Sequence, residues 1–236
     1  MKSISTKKRS TEAEIMDDFE LKGEELKKTL NDLENINAWL GGNKITINGI
    51  DFLLKKTDKK TITVADVGCG NGGMLRKIAR WARKKNYKLN LIGIDANTHA
   101  IEIAKKLAHD FPEIHFSTLN IFSEDFKKEE FDIILCTLTL HHFKDEEVKK
   151  ISQLFTTQAN LGVVINDLER SKTAYRLFQA FCKVFINNEI ARKDGLISIL
   201  RGFKKEELLQ FSSEIPAKKH HISWKWAFRY QWIIQK

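Results

Sequence analysis

The sequence predicts an α/β fold: a doubly wound, mostly parallel sheet covered by helices on both faces, with a helical segment ahead of it. Three observations carry this prediction. From Thr61 onward, short β-branched runs alternate with stretches of helix length. The runs LNLIGID, FDIILC and LGVVIND are apolar almost throughout, as strands buried between two helical layers are. The first strand, finally, ends in a glycine-rich turn that opens directly into a helix-like run, TITVADVGCGNGG followed by residues 74–85.

Residues 1–12 are polar and are expected to fray. Across 14–40 the positions Leu26, Leu30, Leu33, Ile36 and Trp39/Leu40 make a helical face that Gly41 and Gly42 terminate. A second helix is expected over 44–56, where Ile45, Ile47, Ile50, Leu53 and Leu54 are apolar. Strand and helix then alternate: strand 61–67, helix 73–85, strand 88–94, helix 97–109, strand 114–118, strand 131–136, helix 145–157, strand 161–165 and a long helical region 171–187. After a helix over 204–212, the aromatic stretch HHISWKWAFRYQWII (220–234) reads as two closing antiparallel strands. Residues 1–58 thus form an N-terminal helical cover, and 59–236 form the sheet domain.

A chain of 236 residues can bury a sizeable core within one large domain. No apolar run approaches the roughly 18 residues that a bilayer span needs, and MKSISTKKRS has no apolar stretch behind its charges. A cytoplasmic protein without a transmembrane segment is expected. Cys69, Cys136 and Cys182 are odd in number and far apart, which supports neither a disulfide framework nor a C-x-x-C zinc site. The net charge of +9 permits contact with nucleic acid, but its lysines and arginines are scattered and read as a solvated surface.

Gly68, Gly70 and Gly73 satisfy G-x-G-x-x-G, the pattern of a turn that brings a nucleotide against backbone N–H groups. Asp66, two residues before Gly68, decides between ligands, because its carboxylate repels a diphosphate and favours a cation. At the end of the second strand, Asp95 in GIDAN lies 22 residues beyond Gly73, where a carboxylate can accept both ribose hydroxyls. An adenosine at one end and an amino acid with a sulfonium at the other meet both requirements, so the cofactor reads as S-adenosylmethionine rather than NAD.

With VADVGCGNGG, GIDAN and FDIILCTLTLHHF in that order, the chain resembles the class I S-adenosylmethionine-dependent methyltransferases. The resemblance implies a Rossmann-like seven-stranded sheet whose last strand is antiparallel, and a methyltransferase domain over 59–236. It implies cofactor contacts from Asp66, Gly68, Cys69, Gly70, Asp95 and Ala96, with an adenine contact after the third strand. Asn120 and Ile121 occupy that place, where the family usually has an acidic residue, and the Asn120 amide oxygen can accept from the adenine amino group. INAWLGG, VINDLERSKTAYRLF and DGLISILRGFKKEEL further resemble a bacterial subgroup related to quinone-biosynthesis methyltransferases, which implies a small hydrophobic acceptor.

The acceptor's chemistry is expected beyond the carboxyl ends of the strands. His141 and His142 follow the fourth strand, and either could take a proton from a phenol or enol. Asn166 and Asp167 end the fifth strand and could position a carbonyl or a histidine; Asp167 could equally cap the next helix. Arg201, in SILRGF, could hold a phenolate or carboxylate from a lid. No metal is expected, since the histidines show no ligand spacing with cysteine or acidic partners. The expected activity is methyl transfer to an oxygen or carbon of a phenolic, quinone or polyketide-like acceptor. An RNA methyltransferase is the alternative that the charge suggests, against which the fourth strand ends in Cys136-Thr137-Leu138-Thr139 rather than an Asn/Asp/Ser-Pro-Pro-aromatic turn. A non-catalytic S-adenosylmethionine-binding protein is the other alternative.

Overall fold

The structure, a computed structural model, describes residues 4–236. Seven strands make one sheet in the order β3-β2-β1-β4-β5-β7-β6, where β1 is Thr61–Val67, β2 Lys88–Asp95, β3 Ile114–Thr118, β4 Phe131–Thr137, β5 Ala159–Leu168, β6 Lys219–Lys225 and β7 Arg229–Gln235. The first five are parallel; β7 runs antiparallel between β5 and β6. The expected doubly wound sheet with an antiparallel close is therefore present. Strand order reverses between β1 and β4, so the loops leaving these two strands diverge and open a crevice at the carboxyl edge.

Alternation of side chains along the strands builds two cores. On one face Val64, Leu91, Ile133, Leu135 and Val164 meet α2 (Gly42–Leu54) and α3 (Gly73–Lys85). On the other, Ala65, Ile134, Val163 and Trp232 meet α6 (Asp145–Gln158) and α9 (Lys205–Ser213). Burial on both faces explains why the central strands read as unbroken apolar runs. The remaining helices are α1 (Gly23–Trp39), α4 (Thr98–Leu107), the short α5 (Glu124–Lys127), α7 (Lys172–Phe185) and α8 (Glu189–Arg201).

The N-terminal stretch departs from expectation. Helix α1 starts at Gly23 rather than near Glu14, and the segment before it is anchored instead of frayed. The Thr6 carbonyl accepts from Arg170 Nε at 3.1 Å, Ser10 N–H donates to the Leu200 carbonyl at 2.9 Å, and Arg9 Nε donates to the Arg201 carbonyl at 2.7 Å. Residues 1–3, within the stretch expected to fray, lie outside the described residues. Local polarity concealed this strap, because its partners are backbone groups and an arginine that lie more than 160 residues away.

Helix α8 carries no local sequence signal. Its buried positions include Asp194, Ser198 and Arg201 beside Ile190, Ala191 and Ile199, so no apolar period marks it. Asp167 is not a helix cap: it lies within β5, and Ser171 Oγ accepts from Ala174 N–H to cap α7. β5 is also longer than the expected 161–165, running from Ala159 to Leu168 and carrying Asn166 and Asp167 inside the sheet.

Candidate functional site

The turn after β1 is shaped by contacts that only glycine permits. Gly68 has φ +73°, and a Cβ there would lie 2.4 Å from Thr139 Oγ1 on the loop after β4. Gly68 and Cys69 N–H both donate to the Ile94 carbonyl, at 2.8 and 3.1 Å, which draws the turn toward the end of β2. There the Asp95 carboxylate is held by two backbone donors, Gly70 N–H on Oδ2 at 2.8 Å and Asn97 N–H on Oδ1 at 2.9 Å. Each oxygen keeps a lone pair, so the group is oriented before any hydroxyl reaches it. Asp66 is buried beneath the turn; burial first, and the nearby Asp95 charge second, push its carboxyl up to about 7.

These groups form one end of a cavity of about 770 Å³. Ala96, Leu119, Asn120 and Ile121 extend that end past β2 and β3; Asn120 Oδ1 accepts from Phe122 N–H at 2.9 Å, closing a local turn. Toward the other end the walls become apolar: Leu33, Ile36 and Leu40 from α1, Phe178 and Phe181 from α7, and Trp226 and Phe228 from the β6–β7 turn. Leu138, at the tip of β4, adopts φ +54°, a left-handed conformation that few non-glycine residues hold, and it lines the cavity.

Histidines and carboxylates make a polar wall between the ends. His141 is fully buried; its ring Nδ1 lies 2.7 Å from Asp167 Oδ1, while Asp167 Oδ2 accepts from the His141 backbone N–H at 3.1 Å. Burial alone would lower the imidazole, but the Asp167 and Glu14 carboxylates overcome it and raise the ring to about 9. His142 Nδ1 meets Asp17 Oδ1 at 2.5 Å. Burial would raise the Asp17 carboxyl, yet its hydrogen bonds with His142 and Arg201 hold it far below the usual range.

Glu14 and Asp17 reach the wall because the strap is fixed beneath α8. Asp194 accepts from Ile15 and Met16 N–H, both at 2.9 Å, and Ser198 Oγ donates to Glu14 Oε2 at 2.8 Å. Glu14 Oε1 and His141 Nε2 then face each other at 3.5 Å, each buried without a hydrogen bond. With His142 they bring one carboxylate oxygen and two imidazole nitrogens within 4.8 Å of one another. Those donor types suit a proton shared across the gap or a divalent transition-metal ion. The sequence concealed this trio because Glu14 lies more than a hundred residues before the histidines.

The other expected acceptor residues sit elsewhere. Asn166 is buried, and its Nδ2 donates to the Gly42 carbonyl and Thr46 Oγ1, both at 3.0 Å. Arg201 is buried under the strap, donating to Asp17 Oδ2 at 2.6 Å, to the His141 carbonyl at 3.2 Å and to the His142 carbonyl. Asn166, Asp167 and Arg201 are absent from the cavity lining, whereas Asp66, Gly68, Cys69, Gly70, Asp95, Ala96, Asn120, Ile121, His141 and His142 all line it. Arg229, at the start of β7, lines it too and was not anticipated, since it reads in sequence as one more basic residue in an aromatic hairpin.

The sequence profile of the family described as "Methyltransferase domain" matches residues 58–225. Among curated proteins, the chain is 27% identical over 143 residues to the protein-lysine N-methyltransferase EFM4 of Saccharomyces cerevisiae, covering 57% of this chain and 60% of that one. It is likewise 27% identical over 143 residues to the ubiquinone/menaquinone biosynthesis C-methyltransferase UbiE of Campylobacter jejuni, covering 59% and 58%. The chain thus spans about three fifths of the length of these relatives. Among solved structures, the plantazolicin methyltransferase BpumL in complex with SAH superposes with a TM-score of 0.66 at 15% identity, over 89% of this chain and 90% of that one. The magnesium protoporphyrin IX methyltransferase ChlM of Synechocystis PCC 6803 with bound SAM gives 0.55 at 12% identity, over 86% and 84%.

Proposed function

We propose that this chain, which belongs to the methyltransferase-domain family of class I S-adenosylmethionine-dependent enzymes, methylates an oxygen or carbon of a small hydrophobic acceptor of phenolic, quinone or polyketide-like type. One observation carries the reading: a single cavity joins the glycine turn and Asp95 to a chamber walled by Leu33, Ile36, Phe178, Phe181 and Phe228. The cofactor supplies an electrophilic methyl group on a sulfonium, which leaves as a neutral thioether.

The chain's own residues bind, orient and exclude water. Gly68 and Gly70 let the ligand lie against main chain, Asp95 accepts the ribose hydroxyls, and Asp66 receives the amino group. Cys69, Ala96, Asn120 and Ile121 enclose the rest of the nucleoside. His142, with Nδ1–H held by Asp17, presents Nε2 as the proton acceptor for a phenol or enol. His141, raised to about 9 by Asp167 and Glu14, has Nδ1 committed to Asp167 and Nε2 facing Glu14, so it braces the polar wall rather than taking the acceptor's proton. Asp167 positions His141, Asn166 fixes α2 to the sheet, and Arg201 holds the strap; all three act through other residues rather than by touching the acceptor.

Two measurements test the parts separately. Because Asp66 titrates near 7, affinity for the cationic cofactor should fall about tenfold per pH unit below 7 and level off above it, with Asp66→Asn flattening the profile. Calorimetry showing constant affinity from pH 5.5 to 8.5 in the unaltered protein would remove Asp66 from the site. Phe178→Ala should raise the acceptor KM about tenfold while leaving cofactor affinity unchanged, the loss expected for one aromatic wall of an apolar pocket. An unchanged acceptor KM would place the acceptor elsewhere.

A further inference from the structure

Arg229 is a cation in the cavity lining for which the protein supplies no hydrogen-bond partner at two of its nitrogens. It is 1% exposed, its Nε and Nη1 are buried without a hydrogen-bond partner, and the residue lines the cavity. A buried cation left this way is destabilising, and an unpaired buried polar group calls for a compensating partner. The nearest fixed negative charge does not complete it. Asp167 acts on Arg229 through space, but its oxygens already accept from the His141 backbone and ring and from Leu168 N–H. The other buried arginines are satisfied: Arg76 donates to Glu34 and to the Asn71 carbonyl, Arg170 to Glu207 and the Gly202 carbonyl, and Arg201 to Asp17.

The surroundings of Arg229 point in the same direction. Its guanidinium packs against Gly42, where a Cβ would fall 2.8 Å from Nη1 and 1.9 Å from Asn37 Oδ1. Asn37 Oδ1 is itself buried without a partner, so unpaired donors and an unpaired acceptor share one corner of the cavity. Phe178 from α7 and Phe228 from the β6–β7 turn line the same cavity, apolar walls that can enclose a ring or chain while its polar end meets the guanidinium. A planar guanidinium with no protein hydrogen-bond partner offers paired N–H groups along its edges, Nε with Nη2 or Nη1 with Nη2, which match a carboxylate better than a carbonyl or an ether.

From this we infer that the acceptor is an anion, an apolar molecule bearing a carboxylate that Arg229 anchors at the far end of the chamber from the glycine turn. The inference rests on the reading of the chamber as the acceptor site and narrows the substrate class. It also fits the charge distribution: the carboxylates of Asp66 and Asp95 serve the cationic cofactor at the glycine turn, which leaves Arg229 for an anion brought by the acceptor. Arg229 is then a specificity residue that holds one end of the acceptor while His142 faces its reacting end.

The test compares 2-naphthoate with its methyl ester, as probes that share a ring system and differ in charge, using calorimetry on the S-adenosylhomocysteine-bound protein. The unaltered chain should bind the acid at least tenfold more tightly than the ester. Arg229→Gln should abolish that preference and Arg229→Lys should restore part of it, both with unchanged affinity for S-adenosylhomocysteine. Because Arg229→Met removes an unpaired buried charge and keeps an aliphatic stem, the ligand-free variant should melt about 2–4 °C higher than the parent. Equal binding of acid and ester, no binding of the acid, a preference that survives Arg229→Gln, or a fall in the melting temperature of Arg229→Met would each overturn the inference. Failure to bind S-adenosylhomocysteine at all would instead overturn the reading on which it rests.

Discussion

Asp95→Ala should weaken S-adenosylmethionine binding about 100-fold. Its two oxygens are held by Gly70 and Asn97 N–H at 2.8 and 2.9 Å, so a ligand diol meets a carboxylate that is already oriented. Hydrogen bonds to a charged acceptor are each worth about 1.5–3 kcal/mol, and losing two of them corresponds to roughly two orders of magnitude or more. The variant also leaves Gly70 N–H without its acceptor, which loosens the turn that Gly68 brings against Thr139. Calorimetry with S-adenosylhomocysteine provides the measurement. An affinity within threefold of the parent's would show that Asp95 merely braces the turn.

Arg201→Met should destabilise the fold by about 3–5 kcal/mol, the usual consequence of removing one partner from a buried charged network. The guanidinium links Asp17 to the carbonyls of Glu12, His141 and His142, and so ties the strap to the loop that carries both histidines. Without it, Glu14 and Asp17 lose their placement even where the sheet survives. Urea unfolding measures the stability, and limited proteolysis reports cleavage before Gly23. A loss below about 1 kcal/mol with an uncut N-terminus would mean that Asp194 and Ser198 suffice to hold the strap.

The sheet was legible because its signal is local. Ile133, Ile134, Leu135 and Cys136 are all buried, since successive residues face two different helical layers, and that double burial is what the run FDIILC records. The cofactor end was legible for a related reason: Asp66, Gly68, Gly70 and Asp95 lie on two adjacent strand ends, and the spacing between them is set by one helix. The polar wall was only half legible. His141 and His142 stood out after β4, but Glu14 and Asp17 come from a polar segment with no periodicity, held by Asp194 and Ser198 on a helix whose buried face is polar.

Arg201 and Arg229 show the same limit from opposite sides. Both are buried arginines in the last third of the chain, and nothing in their neighbours distinguishes them. One is surrounded by carbonyls and a carboxylate, the other by glycine, aromatic rings and unpaired polar atoms. Whether an arginine braces the protein or faces a ligand depends on partners that only the tertiary fold brings together.

A labelled methyl group shows whether transfer goes to a small apolar acceptor. With S-adenosylmethionine labelled in its methyl group and a cell extract fractionated into small molecules, protein and RNA, the label should enter the organic-extractable small-molecule fraction, and Asp95→Ala should abolish its entry. Label recovered instead in protein lysine or in RNA, with the same dependence on Asp95, would contradict the account of the acceptor while leaving the cofactor site intact.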